Sequence, residues 1–283
     1  MMSSSNMDKA SYGVAEIKRI TDADEIKKIL PVISSAWGMP DLSAALKDTI
    51  NAMRFHGGLV LAAYSGSKII GMQFSFPGYR KGKVYLYSHM TGVSEDNKYS
   101  GVGRMLKLYQ KEWALDHSFD LIAWTYDPVR SLNAYFNLAK LGAISRNLLH
   151  NFYGTMEDSL NRGIPTHRLV AEWWIKKDKF YPIPQHDEYA IIEKSGSPIF
   201  NYDLDERELK VITVGLPTDF SEIQKNDLSS AVRIKQSISS ILEDLFSRGY
   251  IAFDFLKREE TSSYVLIRDT DFSSRYGENI FKE

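Results

Sequence analysis

The sequence predicts an α+β protein: a mixed β-sheet flanked by helices, followed by a C-terminal α/β extension. Three observations carry this. To about residue 175, apolar alternation and helical spacing give the order β-α-α-β-β-β-α-β-α-β-β, which is not the regular alternation of a doubly wound parallel sheet. The stretch "YPIPQHDEY", with Pro182 and Pro184, then reads as a linker. Beyond it come strands, one long helix with a single apolar face, and a hairpin. The expected organisation is a disordered tail over 1–13, a main domain over 14–185 and an extension over 186–283.

Taken in order, "GVAEIKRI" alternates as a first strand. Asp22 can cap a helix through "ADEIKKILPVISSAW", kinked or split at Pro31. "DLSAALKDTINAMRFHGG" is a second helix, stopped by Gly57 and Gly58. "LVLAAYS" and "KIIGMQFSF" are strands joined at Gly66 and Ser67, and "KVYLYSHMTGV" is a third. A helix from Arg104 sets Met105, Leu108, Tyr109 and Trp113 at helical spacing. "DLIAWTY" reads as a buried strand, and "PVRSLNAYFNLAKLG" as a helix between Pro128 and Gly142. "AISRNLLHNFYG" and "HRLVAEWWI" return as strands. After the linker, "YAIIEK", "SPIFNY" and "LKVITVGLP" are strands, a helix runs from about Leu228 to Arg248, and "YIAFDFLK" with "SSYVLIR" makes the hairpin. This last part could be a degenerate second half of the same fold or an unrelated α+β cap. It could build an acceptor site or a homodimer contact.

Bulk composition excludes several function classes. Thirty-five Lys+Arg against 36 Asp+Glu leave a formal charge of -1, unlike the strongly basic balance of a general nucleic-acid binder. The chain has no cysteine, hence no disulfide, thiolate metal site or cysteine nucleophile. Its histidines, among them His56, His117, His150, His167 and His186, lack ligand spacing, so no metal is expected. No apolar run reaches the roughly 18 residues of a membrane span. The polar start lacks the apolar core of a signal peptide, so the expectation is a cytoplasmic protein with neither membrane nor nucleic acid as partner.

The informative stretch is "GVSEDNKYSGVGRML", where a strand hands over to a helix through two glycines. Helix-start amides lack intrahelical partners and carry partial positive charge, and glycine lets a phosphate approach bare backbone. Successive amides of Tyr99, Ser100, Gly101, Val102, Gly103 and Arg104 could wrap a pyrophosphate, with Lys98 and Arg104 adding charge. Simple loop closure would also favour glycines there. A dinucleotide fingerprint does not fit, because its third glycine position is Leu106 and about seven residues separate Val93 from Gly101. A P-loop does not fit either, since no G-K-[ST] follows.

The wider arrangement resembles the acyl-CoA signature of the GNAT superfamily of N-acetyltransferases, a strand ending in Val and then [RQ]-x-x-G-x-[GA] opening a helix. Val93, Lys98, Gly101 and Gly103 fall on those positions. Lys98 stands for the usual Arg or Gln, and Glu95 where Pro is frequent. The element order to roughly residue 175 is also the GNAT order. "WTYDPVRSLNAYFNLAKLGAISRNLLHNFYG" further resembles a branch of large, poorly characterised predicted GNAT proteins. The resemblance implies acetyl-CoA as cosubstrate and an acetyltransferase in which an amine attacks the thioester directly. It implies that pantetheine pairs with backbone around Met90, Gly92 and Val93.

His89 is the candidate base on that strand, or else a satisfied core histidine. Tyr135 is the candidate acid, although the family's tyrosine position holds Leu138; packing is its other reading. Asn133 would bind the pantetheine or cap its helix. Asp127 could orient a substrate ammonium, or cap the helix, and Arg130 could grip a substrate carboxylate. Trp124 and Trp37 would wall the acceptor pocket or sit in the core. The acceptor is expected to be a small amine such as an amino acid. The rivals are a non-catalytic CoA-binding or regulatory protein, and a structural domain with a vestigial loop.

Overall fold

The structure, a computed structural model, describes residues 9–11, 15–37, 44–97, 101–156, 158, 161–178, 187–201, 203–204, 209–268 and 270–282. It is an α+β fold with mixed sheets and flanking helices. The chain divides into two compact units, Met1–Ala123 with Asp158–Leu160, and Trp124–Glu157 with Asn161–Glu283.

The first unit opens with β1 (Lys9–Ser11) and β2 (Glu16–Arg19), paired antiparallel. The rest of the expected tail, like most of the expected linker, lies outside the described residues. Helix α1 (Ala23–Ile26) starts where the Asp22 carboxylate accepts the Asp24 N–H at 2.6 Å. A 3₁₀ turn over Lys27–Ile29 leads to α2 (Leu30–Trp37). The tightening falls just before Pro31, whose missing N–H and ring disfavour a regular α-helical turn there. Helix α3 (Ala44–Phe55) follows. Then come β3 (Leu59–Ser65), β4 (Lys68–Arg80) and β5 (Lys83–Val93), all antiparallel neighbours. A 3₁₀ turn occupies Glu95–Asn97, and α4 spans Val102–Asp116. Strand β6 (Leu121–Tyr126) begins in this unit and runs parallel to β5 through Leu86↔Ile122 and Tyr87↔Ala123.

One face of this sheet buries Ile20, Ile26, Ile29, Val32, Ile33, Ile50, Val60, Met72 and Phe74 against α1–α3. Truncating such a side chain to Ala costs roughly 2–5 kcal/mol. Gly92 is required by this packing, because a Cβ there would lie 2.6 Å from Cζ3 of Trp37.

In the second unit, β6 ends and α5 (Ser131–Ala134) runs into a π-helical stretch, Tyr135–Lys140. The wide turn is seen in the Leu141 N–H, which donates to the Phe136 carbonyl at 3.0 Å. Next to β6 lies β8 (Arg168–Trp174), and beyond it β7 (Leu148–Leu149). The strand expected across "AISRNLLHNFYG" is thus a short one with isolated bridges at Ile144 and Ser145. Asn151, at φ 44, turns the chain away. A second sheet has the order β10 (Pro198–Phe200), β9 (Asp187–Ile192), β11 (Val211–Pro217), β13 (Thr261–Ile267), β12 (Ile251–Leu256). Helix α6 (Phe220–Asn226) precedes the long α7 (Leu228–Ser247), and α8 spans Thr270–Arg275. Asp227 caps α7, accepting the Ser230 N–H at 3.0 Å and the Ser230 hydroxyl at 2.6 Å.

Candidate functional site

In the first unit the glycine loop enters α4 as a left-handed bend. Gly101 is the N-cap at φ 86, a conformation costly for any residue with a Cβ, and no side chain caps this helix start. Gly103 differs. Its φ is not positive, and an added Cβ would meet only Cγ2 of Val93, at 3.8 Å. The fold therefore does not require a glycine at 103. Val102 is buried and anchors the turn, while Arg104 is exposed. Lys98, Tyr99 and Ser100 lie outside the described residues.

Strand β5 carries a β-bulge. Its register with β4 slips between Phe74↔Met90 and Ser75↔Ser88, which makes His89 the extra residue. The exposed imidazole lies with its ring centroid 6.0 Å from Phe74, 5.9 Å from Phe76 and 5.9 Å from Tyr87. Desolvation by these neighbouring rings lowers its pKa below the ordinary value, which favours the neutral form that can accept a proton. Met90 packs against the α1–α3 core and Trp37 lies over Gly92. From Met90 to Val93, β4 is the ladder partner of β5 among the described residues.

Lys107 of α4 is buried in the same unit, its ammonium nitrogen 2.7 Å from the Ser88 hydroxyl. Burial holds its pKa well below the ordinary lysine value.

In the second unit the turn after β6 is heavily bonded. Asp127 is buried; Oδ1 accepts the Val129 N–H at 3.1 Å, and Oδ2 accepts from Nζ of Lys235 at 2.7 Å. Arg168 lies 3.5 Å from the same oxygen. Burial pushes Lys235 down to about 8, opposed by the attraction of Asp127. Tyr264 donates to the Pro128 carbonyl at 2.7 Å. Arg130 donates to the Ser221 hydroxyl at 2.8 Å and to the Gln224 amide oxygen at 2.7 Å, and stacks 5.1 Å from the Phe220 ring centroid. Both charges expected to hold a substrate zwitterion are thus engaged by the protein's own side chains.

Trp124 is buried, donates to Oδ1 of Asn137 at 3.2 Å and meets Trp173 edge-on. Asn133 is exposed. Tyr135 is partly exposed, with Nζ of Lys140 5.0 Å from its ring centroid, and Leu138 is fully buried.

The partners Lys107 and Lys235 were not singled out from sequence. A signal existed for Lys235, which falls between Ile234 and Ile238 on the apolar face of α7. A lysine on such a face needs an acceptor. Nothing local announces that the acceptor is Asp127, 108 residues away.

No family model matches the chain, and no curated protein matches it in sequence. Among solved structures, part of the chain is similar to a GNAT family acetyltransferase from Elizabethkingia anophelis with acetyl-CoA bound. That match is 17% identical over 58% of this chain and 99% of the other, with a TM-score of 0.46. It is also similar to an N-acetyltransferase from Staphylococcus aureus Mu50 (12% identity, 58% and 99% covered, TM-score 0.44). A third is an IAA acetyltransferase from Bacillus cereus ATCC 14579 (18% identity, 55% and 96% covered, TM-score 0.43). At these identities and TM-scores the likeness carries no argument about what this chain does.

Proposed function

We propose that the chain is an acetyl-CoA-dependent N-acyltransferase of the GNAT type that acetylates a small amine. The observation that carries this reading is the opening of α4. Gly101 bends the loop left-handed, and among the described residues an added Cβ at Gly103 meets only Val93, so a helix start with backbone amides lacking intrahelical partners is available to a pyrophosphate. The loop amides, with Lys98 and Arg104, are assigned to that anion. The backbone of Met90, Gly92 and Val93 is assigned to the pantetheine, as an added strand would pair.

Acetyl-CoA, when bound, supplies an acyl carbon already activated as a thioester, so the chain needs no nucleophile of its own. His89, in its neutral form, takes the proton from the attacking amine. Asn133 is assigned to the pantetheine and Tyr135 to protonation of the leaving thiolate, both on the sequence resemblance alone. A carboxylate-bearing acceptor such as an amino acid would have to draw Arg130 away from Ser221 and Gln224.

A second reading, a CoA-binding protein without turnover, is favoured by the fully buried Leu138 at the tyrosine position and by the engagement of Asp127 and Arg130. Release of free CoA thiol from acetyl-CoA across a panel of small amines separates the two. Amine-dependent release supports transfer; saturable acetyl-CoA binding with no release under any amine supports the second reading.

A further inference from the structure

Three of the four residues that follow β6 are held by elements far away in sequence. The Asp127 carboxylate takes Lys235 of α7, the Pro128 carbonyl takes the Tyr264 hydroxyl of β13, and the Arg130 guanidinium takes Ser221 and Gln224 of α6 and stacks on Phe220. The remaining residue of the turn, Val129, is fully buried and gives its N–H to Asp127. Asn133 and Ala134 donate their N–H groups to the Arg130 carbonyl at 2.9 and 3.0 Å. Tyr135 follows directly as the first residue of the π-helical stretch. All of these residues belong to the second unit.

A buried ion pair is a poor device for stability. Desolvating Lys235 and Asp127 costs several kcal/mol, and apolar replacements of similar volume are often neutral or stabilising. What a charged pair does well is select one geometry, because a displaced carboxylate or ammonium stays unpaired in a dry interior. The anchors also converge on the one stretch that leads into Asn133 and Tyr135. Four bonds that served only to attach the C-terminal region had no need to meet on one four-residue turn.

We infer that Lys235, Tyr264, Ser221 and Gln224 are positioning residues, and that the C-terminal region, through them, sets the geometry of the 127–130 turn and so of Asn133 and Tyr135. The functional half of this inference rests on the acetyltransferase reading; the geometric half does not.

The test uses the full chain as wild type, as Lys235→Met and as the double variant Asp127→Asn with Lys235→Met. The readouts are amide hydrogen exchange at Val129, Asn133 and Ala134, thermal stability, and amine-dependent CoA release from acetyl-CoA. Lys235→Met leaves a buried carboxylate without its closest cation and loses stability. The double variant removes both charges of the pair and leaves Arg168 with its bonds to the His167 carbonyl and the Asn161 side chain, so stability is recovered in part. Positioning predicts that exchange at the three amides stays at least about tenfold faster than wild type in the double variant, with α7 protection unchanged. It also predicts kcat lower by about tenfold or more with the acetyl-CoA KM within about twofold. Wild-type exchange and kcat in the recovered double variant would overturn the inference. Should Lys235→Met alone fail to fold, the double variant still decides it. Absence of CoA release in the wild type, with the exchange result as expected, would fail the acetyltransferase reading and leave the geometric half standing.

Discussion

Replacing Gly103 with Glu sets a carboxylate where the proposed pyrophosphate lies, and the structure separates this effect from any damage to the fold. Added at 103, a Cβ meets Val93 Cγ2 at 3.8 Å, an ordinary contact, and the backbone there is not left-handed. The fold should accept the change, because an acidic residue in a first helical turn complements the dipole by about 0.3–1 kcal/mol. Ligand binding should not accept it. Two like charges about 4 Å apart at an effective dielectric of about 20 repel by about 4 kcal/mol, close to a thousandfold in affinity. Gly103→Ala is the control for bulk: it should keep acetyl-CoA binding within a few-fold and raise stability by about 0.5–1 kcal/mol, the usual helical difference between Gly and Ala. Gly101→Ala should instead lose about 1–2 kcal/mol, since its φ of 86 is costly with a Cβ. Calorimetric titration with acetyl-CoA, beside urea unfolding of each variant, reads both quantities. Undiminished affinity in Gly103→Glu would refute the loop as the phosphate cradle, and a destabilised Gly103→Ala would refute the unstrained contact with Val93.

Other outcomes follow from the same coordinates. His89→Ala should lower kcat by roughly 10²–10⁴-fold; the wild-type rate should rise with pH through a value below that of a free histidine, and a mutant with the same pH profile would return His89 to a packing role. Lys235 has a folded pKa of about 8 against an ordinary 10.5, so between those values the unfolded chain holds more protons. Lys235 should therefore contribute a rise of about 3 kcal/mol in unfolding free energy across that window, a share that Lys235→Met should remove while that of Lys107 persists. Flat stability from pH 8 to 10 in the wild type would contradict the burial assigned to it. If the acceptor carries a carboxylate, amino acids should outperform their amides and simple alkylamines in the wild type, and Arg130→Ala should lose that preference; equal rates for all three would sink the zwitterion idea.

Local chemistry made much of the fold legible in the sequence. The cap at Asp22, the breaks at Pro31 and Gly249 and the length of α7 follow from signals within a few residues, and the structure has them. Strands with clear alternation, β3 to β6, were equally readable. Helix α6 was not, because seven residues opened by a Thr-Asp turn carry too little periodicity. The π-helical stretch after Ala134 is invisible to a 3.6-residue reading. The strand expected across residues 143–154 is reduced to β7 and bridges at Ile144 and Ser145, between Gly142 and Asn151 at positive φ. At the candidate site, Gly101 was readable as a residue that needs positive φ. The engagement of Asp127 and Arg130 was not, since Ser221, Gln224 and Lys235 come from 91 to 108 positions away and sequence spacing encodes no such pairing.

Titration of the wild-type chain with acetyl-CoA while following its melting temperature tests the central claim most directly. A ligand that binds only the native state adds about 2.7 kcal/mol at a hundredfold excess over Kd, which for a chain of this size raises the midpoint by about 5–10 °C. The account predicts a saturable rise of that order with acetyl-CoA and little with adenosine, because the pyrophosphate carries the recognition. No shift at millimolar acetyl-CoA would contradict it.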